Sequence, residues 1–133
     1  EPGMHNWYNY TCRIDMNAIG WKGEPCKMRN AVMKTLNAEG VPVGIWQSFA
    51  LPDMTVFKAK NAYGHGCPWS CAGIDKDWKE GDFPAARTHV ETHFGMTTPL
   101  RAPNRTNVAE KVTEAFIKVF DNIAEINPDE ILK

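Results

Sequence analysis

KMRNAVMKTLNAEGVPVGIW, Lys27 to Trp46, is the stretch whose reading decides the fold. Met28, Val32, Thr35 and Leu36 recur at three- and four-residue intervals, while Arg29, Lys34, Asn37 and Glu39 fall on the opposite face of the same helix. A helix with one apolar side needs a surface to lie on. Pro25 suits its first turn, where a missing amide proton costs no hydrogen bond. Gly40 stands where a left-handed residue relieves the last carbonyls, and Val41, Val43 and Ile45 then alternate with the period of a strand. The stretch predicts a helix from Pro25 to Gly40 that turns at once into a short strand and packs on a sheet.

Upstream, residues 1–6 read as an incoming loop. In WYNYTCRI, Trp7 to Ile14, the residues Tyr8, Tyr10, Cys12 and Ile14 share one parity and Asn9, Thr11 and Arg13 the other, which is the pattern of a strand with one face on a core. Downstream, 47–82 is irregular. Met54, Val56 and Phe57 offer buried anchors, but Asn61, Gly64, Gly66, Pro68 and Gly73 break any period, as in a binding loop or lid. Trp69 and Trp78 in that segment need burial, in this core or against a partner.

Phe83 and Pro84 open a short helix with Ala86, Val90 and either His93 or Phe94 on one side, and Gly95 ends it. Met96 to Pro103 reads as an edge strand interrupted by Pro99. The last helix has Asn107 and Glu110 at capping-box spacing, an apolar stripe from Val108 to Ile126, a Glu114–Lys118 pair one turn apart, and a stop at Pro128. This order predicts a small two-layer α/β domain over 1–133, with helices on one face of a short, mainly antiparallel sheet and 47–82 an irregular segment within it.

A chain of 133 residues has the length of one ordinary domain. Fifteen basic residues against sixteen acidic ones, in no blocks, lack the concentrated positive footprint of a nucleic-acid binder. No apolar run approaches a membrane span, and the N-terminal residues lack the basic and apolar regions of a secretory signal, which makes a cytoplasmic location the default expectation.

Taken together, HNWYNYTCRI (His5 to Ile14), MRNAVMKTLNAEGVPVGIW (Met28 to Trp46), the Phe83–Pro84 helix opening and TTPLRAPNRTNVAEKVTEAFIKVF (Thr97 to Phe120) resemble the C-terminal small domain of the DegT/DnrJ/EryC1/StrS sugar aminotransferases. Those are fold-type-I enzymes that depend on pyridoxal phosphate. The resemblance implies transfer of an amino group from an amino acid, commonly glutamate, to a keto-sugar or keto-cyclitol, in an oligomer. It places the cofactor lysine in a large domain that this chain does not contain. Ser48 and Ser70 are the serines here, and neither precedes a lysine by three residues. The complete assembly would then need that large domain from another chain or a missing segment. In relatives the segment after the strand approaches the substrate, so the resemblance points to Trp46, Gln47, Ser48 and Phe49 as pocket residues, with Tyr10 supporting them.

Other polar groups have their own readings. Cys67 and Cys71 with His89 and His93 give C-x3-C and H-x3-H, two thiolates and two imidazoles that would suit tetrahedral zinc if the histidines share a helix face. A Cys67–Cys71 disulfide and free cysteines stand beside that reading. His5 reads as a solvated loop residue. Arg87, Arg101 and Arg105 suit either a solvated rim or bidentate capture of a carboxylate or phosphate. The functional alternatives to an aminotransferase portion are a noncatalytic binding or assembly module and a zinc-stabilised interaction domain.

Overall fold

Pro25 at the first position and a spaced apolar set make the first long helix, α1, run over Pro25–Ala38. Its end is a two-bond cap. Gly40, at φ 84°, donates to Asn37 O at 3.0 Å, and Val41 donates to Leu36 O at 2.9 Å. Leu36 and Val41, the apolar pair that accompanies such a cap, are both buried.

The computed structural model describes residues 8–79, 81–96, 99 and 101–133. The loop expected over 1–6, His5 within it, the strand start at Trp7, and Thr97, Thr98 and Leu100 of the expected edge strand lie outside them. The chain divides into two compact units, Glu1–Trp46 with Glu91–Lys133, and Gln47–Val90.

In the first unit, β1 (Tyr10–Arg13) pairs antiparallel with β2 (His93–Met96), with Tyr10 opposite Met96, Thr11 opposite Gly95, Cys12 opposite Phe94 and Arg13 opposite His93. Among the described residues these strands form a two-stranded sheet, extended on its far side by one antiparallel bridge between Gly44 and Gly95. The helix α4 (Thr106–Asp121) and the short α5 (Pro128–Ile131) pack with α1. The core holds Ile14, Met28, Val32, Leu36, Val41, Phe94, Met96, Ala115 and Val119. Phe94 stacks on Phe116 at 6.1 Å between centroids, and Phe116 on Phe120 at 6.2 Å. The molecule is thus mixed α/β, with helices against a small antiparallel sheet.

The second unit holds a 3-10 turn over Leu51–Asp53, the helix α2 (Thr55–Ala59) and the first turns of α3 (Pro84–Thr92). Phe57 meets Trp69 and Trp78 edge to face at 5.9 and 6.0 Å. The tryptophans of the irregular segment therefore find each other's company through one phenylalanine, and Trp69 is buried. Cys67 and Cys71 are joined as a disulfide, whereas Cys12 and Cys26 are free thiols.

Several local expectations are corrected. Val41–Ile45 does not make a strand, only the Gly44 bridge, because the Asn37 side chain takes up the backbone of Val43: its amide donates to Val43 O at 3.2 Å and its oxygen accepts from Val43 N at 3.4 Å. Arg29 is not on the solvent face but buried, with Nε and Nη2 donating to Asn30 Oδ1 at 3.1 and 2.9 Å. The helix from Pro84 ends at Thr92, and residues 93–96 are strand, so Gly95 is a strand residue rather than a helix stop. No side-chain cap forms at the start of α4, whose N-cap is Arg105. Lys118 reaches Glu39 at 2.7 and 2.8 Å instead of Glu114, tying α4 to the end of α1. Pro128 begins α5 after Asn127, whose side chain accepts from Asp129 N at 3.1 Å. An ion pair between Lys27 and Asp129 joins α1 to α5.

Gly95 explains the strand. A Cβ there would lie 2.5 Å from Asn9 Oδ1, so a side chain at this buried position would displace Asn9. We expect Gly95→Ala to cost about 1–3 kcal/mol through overpacking. Asn9→Ala in the same background should recover much of it, giving a coupling above roughly 0.5 kcal/mol in a denaturation double-mutant cycle. Additive losses would mean that the two residues do not meet.

Candidate functional site

Past the cap at Gly40 the chain is held twice. Asn37 fixes Val43, and Gly44 exchanges both backbone hydrogen bonds with Gly95 at 2.9 and 2.8 Å. Side-chain alternation follows from that register. Val43 and Ile45 are half-buried, and Gly44 and Trp46 turn outward. Trp46 is 67% exposed, unusual for an indole on a short, well-tied segment.

Beneath it lies a hollow of about 270 Å³ lined by Asn9, Val43, Gly44, Trp46, Gly95 and Met96, together with Pro42 and Ile45. The absence of side chains at Gly44 and Gly95 makes its floor backbone. Tyr8 meets Trp46 edge to face at 6.1 Å, and Arg101 caps Tyr8, with Cζ 5.1 Å from the ring centroid and Nη2 donating to Tyr8 O at 3.2 Å. Trp46 is therefore backed by an aromatic and a guanidinium. The hollow offers an indole face, an amide side chain and backbone, and among the described residues its lining contains no carboxylate, histidine, lysine or thiol. Its chemistry is that of binding and orientation.

The predicted pocket residues are distributed differently. Tyr10 does not support Trp46; it lines a second hollow with Cys12, Met96, Ala109, Thr113 and Phe116. Tyr8 takes the supporting position. Gln47, Ser48 and Phe49 open the second unit, half-buried, exposed and 45% exposed respectively. Asn9, Gly95 and Arg101 have no place in the pocket expected from sequence. A glycine inside the apolar run HFGM was the available signal, since an interior strand glycine marks a close backbone approach.

The zinc set does not assemble as its spacing suggests. Cys67 and Cys71 are bonded to each other, His89 stays on α3, and His93 is buried on β2, so the histidines share no helix face. Among the described residues no group of three or more His, Cys, Asp or Glu side chains is arranged to hold a metal ion. No helix among them is long and apolar enough to cross a membrane. Compared with protein-family models and with curated proteins, the chain matches none.

Both free thiols sit in surroundings that disfavour the thiolate. Burial pushes the Cys12 thiol up from its ordinary value. Cys26 is also raised, by burial first and then by Glu24, whose carboxylate accepts its S–H at 2.9 Å and repels a thiolate. A raised value leaves less thiolate at a given pH. Glu24→Gln removes the repulsion, so alkylation of Cys26 by iodoacetamide at about pH 8, followed by peptide mapping, should accelerate about two- to fivefold. An unchanged rate would show that Glu24 does not control this thiol.

Proposed function

We propose that this chain forms the substrate wall and interface portion of a pyridoxal-phosphate-dependent aminotransferase of the DegT/DnrJ/EryC1/StrS type. It would act on a keto-sugar or keto-cyclitol with an amino-acid donor. The large domain would come from another chain or from a segment beyond these 133 residues. The observation that supports this most is Trp46, an exposed indole held by a fixed backbone register over a hollow whose described lining can bind but offers no group for proton transfer. An indole face suits the C–H face of a sugar ring, and the Asn9 amide can both donate to and accept from hydroxyl or carbonyl oxygens.

The residues present do not fit the cofactor itself. Among the described residues no lysine lines the hollow, and no serine in the sequence precedes a lysine by three residues. No covalent step is therefore assigned to this chain. Its residues would orient the acceptor and keep water from one side of it. A noncatalytic binding module would use the same hollow, which is why the test must include turnover.

The native assembly, isolated through this chain, should contain a larger polypeptide in fixed stoichiometry, carry the yellow absorption of bound pyridoxal phosphate, and aminate a keto-sugar. Trp46→Ala should raise KM for the acceptor by about tenfold while leaving the donor half-reaction unchanged. A colourless assembly without turnover would overturn the aminotransferase reading, and an unchanged acceptor KM would overturn the role of Trp46.

A further inference from the structure

The second unit has a cavity of about 440 Å³ built wholly from its own residues. Among the described residues five ionisable side chains reach it, Lys58, Lys60 and Arg87 against Asp53 and Asp77, three cations facing two carboxylates. How firmly each is engaged decides what the cavity can take. Arg87 makes a two-pronged pair with Asp53, Nη1 to Oδ2 at 3.0 Å and Nη2 to Oδ1 at 3.3 Å, both side chains being more than two thirds buried. Its Nε is buried and finds no hydrogen-bond acceptor.

Lys60 pairs with Asp77 at 2.6 Å, and its hydrogen bond with Asp77 raises the lysine and lowers the carboxylate, so both stay charged at neutral pH. Asp75 lies 3.7 Å from the same ammonium but is fully exposed and outside the lining, while Lys79 adds positive charge near Asp77. Lys58 is the least engaged cation of the wall. It is 64% exposed, and its ammonium is 3.8 Å from an Asp53 oxygen already shared with Arg87.

The rest of the wall is aromatic and backed. Phe57 and Trp78 meet edge to face there, with buried Trp69 behind Phe57. Lys60 is also held at φ 47°, ψ 43°, left-handed backbone that a non-glycine residue adopts at a cost. A cavity within roughly 300–1,000 Å³ that combines aromatic surface with a few convergent polar groups has the make-up of a small-molecule site.

We infer that this cavity binds a small organic monoanion, a carboxylate on a ring-shaped body, with the carboxylate taken by Lys58 beside the Asp53–Arg87 pair and the ring laid against Trp78. The inference stands apart from the aminotransferase proposal, since every residue it uses belongs to the second unit and none lines the Trp46 hollow.

Benzoate is the probe, titrated into the full chain at low, fixed salt and followed by calorimetry and tryptophan fluorescence. Saturable binding is expected near the millimolar range, as befits one charge and one ring. Lys58→Met should weaken it by about fivefold or more, since the contact is charge-assisted. Asp77→Asn, which removes a negative charge from the wall and frees Lys60, should tighten it, and Trp78→Phe should abolish most of the fluorescence change. Lys58 and Asp77 are exposed, so thermal melting should show both variants folded as the parent is. Absence of saturable binding, or affinity indifferent to Lys58, would overturn the inference. Tighter binding of benzylammonium, weakened by Asp77→Asn, would show a cation site instead. Inorganic phosphate binding as well as benzoate would refute the role of the ring.

Discussion

Gly95 donates its amide hydrogen to Gly44 O at 2.8 Å, accepts from Gly44 N at 2.9 Å, and stands opposite Thr11 of β1 on its other side. One residue thereby joins three pieces of chain: β1, β2 and the segment that leaves α1. The close approach of Asn9 leaves no room for a side chain at that point. Because side chains alternate along extended backbone, a slip of one residue at this bridge would turn Trp46 inward and put Val43 and Ile45 in water. Presentation of the indole thus depends on a pair of backbone hydrogen bonds as well as on its edge-to-face contact with Tyr8.

The two candidate surfaces differ in physical character. The hollow under Trp46 is floored by backbone and walled by apolar groups, so its selectivity must come from shape and from the few hydrogen bonds of Asn9 and the main chain. The cavity of the second unit is dominated by charge, with each carboxylate already facing a cation and Lys58 only loosely held. Ion pairs as exposed as Lys58–Asp53 add little to stability. Their grouping around one cavity is better explained by what the cavity can hold.

Helix α1 was legible in sequence because its apolar spacing, first-turn proline and terminal glycine agree with one another, and the structure has all three. The β1 pattern was legible for the same reason at Cys12 and Ile14, which point inward. Where a single residue had two local meanings, sequence was insufficient. Gly95 after an apparent helix reads as a stop, although the crowding that requires it comes from Asn9, 86 positions earlier in the chain. Arg29 reads as a surface residue because local periodicity does not reveal its burial or the influence of Glu91. Lys118 had a plausible partner one turn away and chose Glu39 on another helix. The same holds at Trp46: the strand it was expected to end is only the Gly44 bridge, and its contact with Tyr8 and its hollow beside Asn9 are tertiary facts.

Amide hydrogen exchange at Gly44 and Gly95 tests the bridge most directly. If the bridge organises the first unit, both amides should exchange slowly, within about tenfold of the Leu36 amide in α1, because they open only with the core. Exchange at Gly44 and Gly95 as fast as in an unstructured peptide, with Leu36 still protected, would contradict the account and leave the position of Trp46 unexplained.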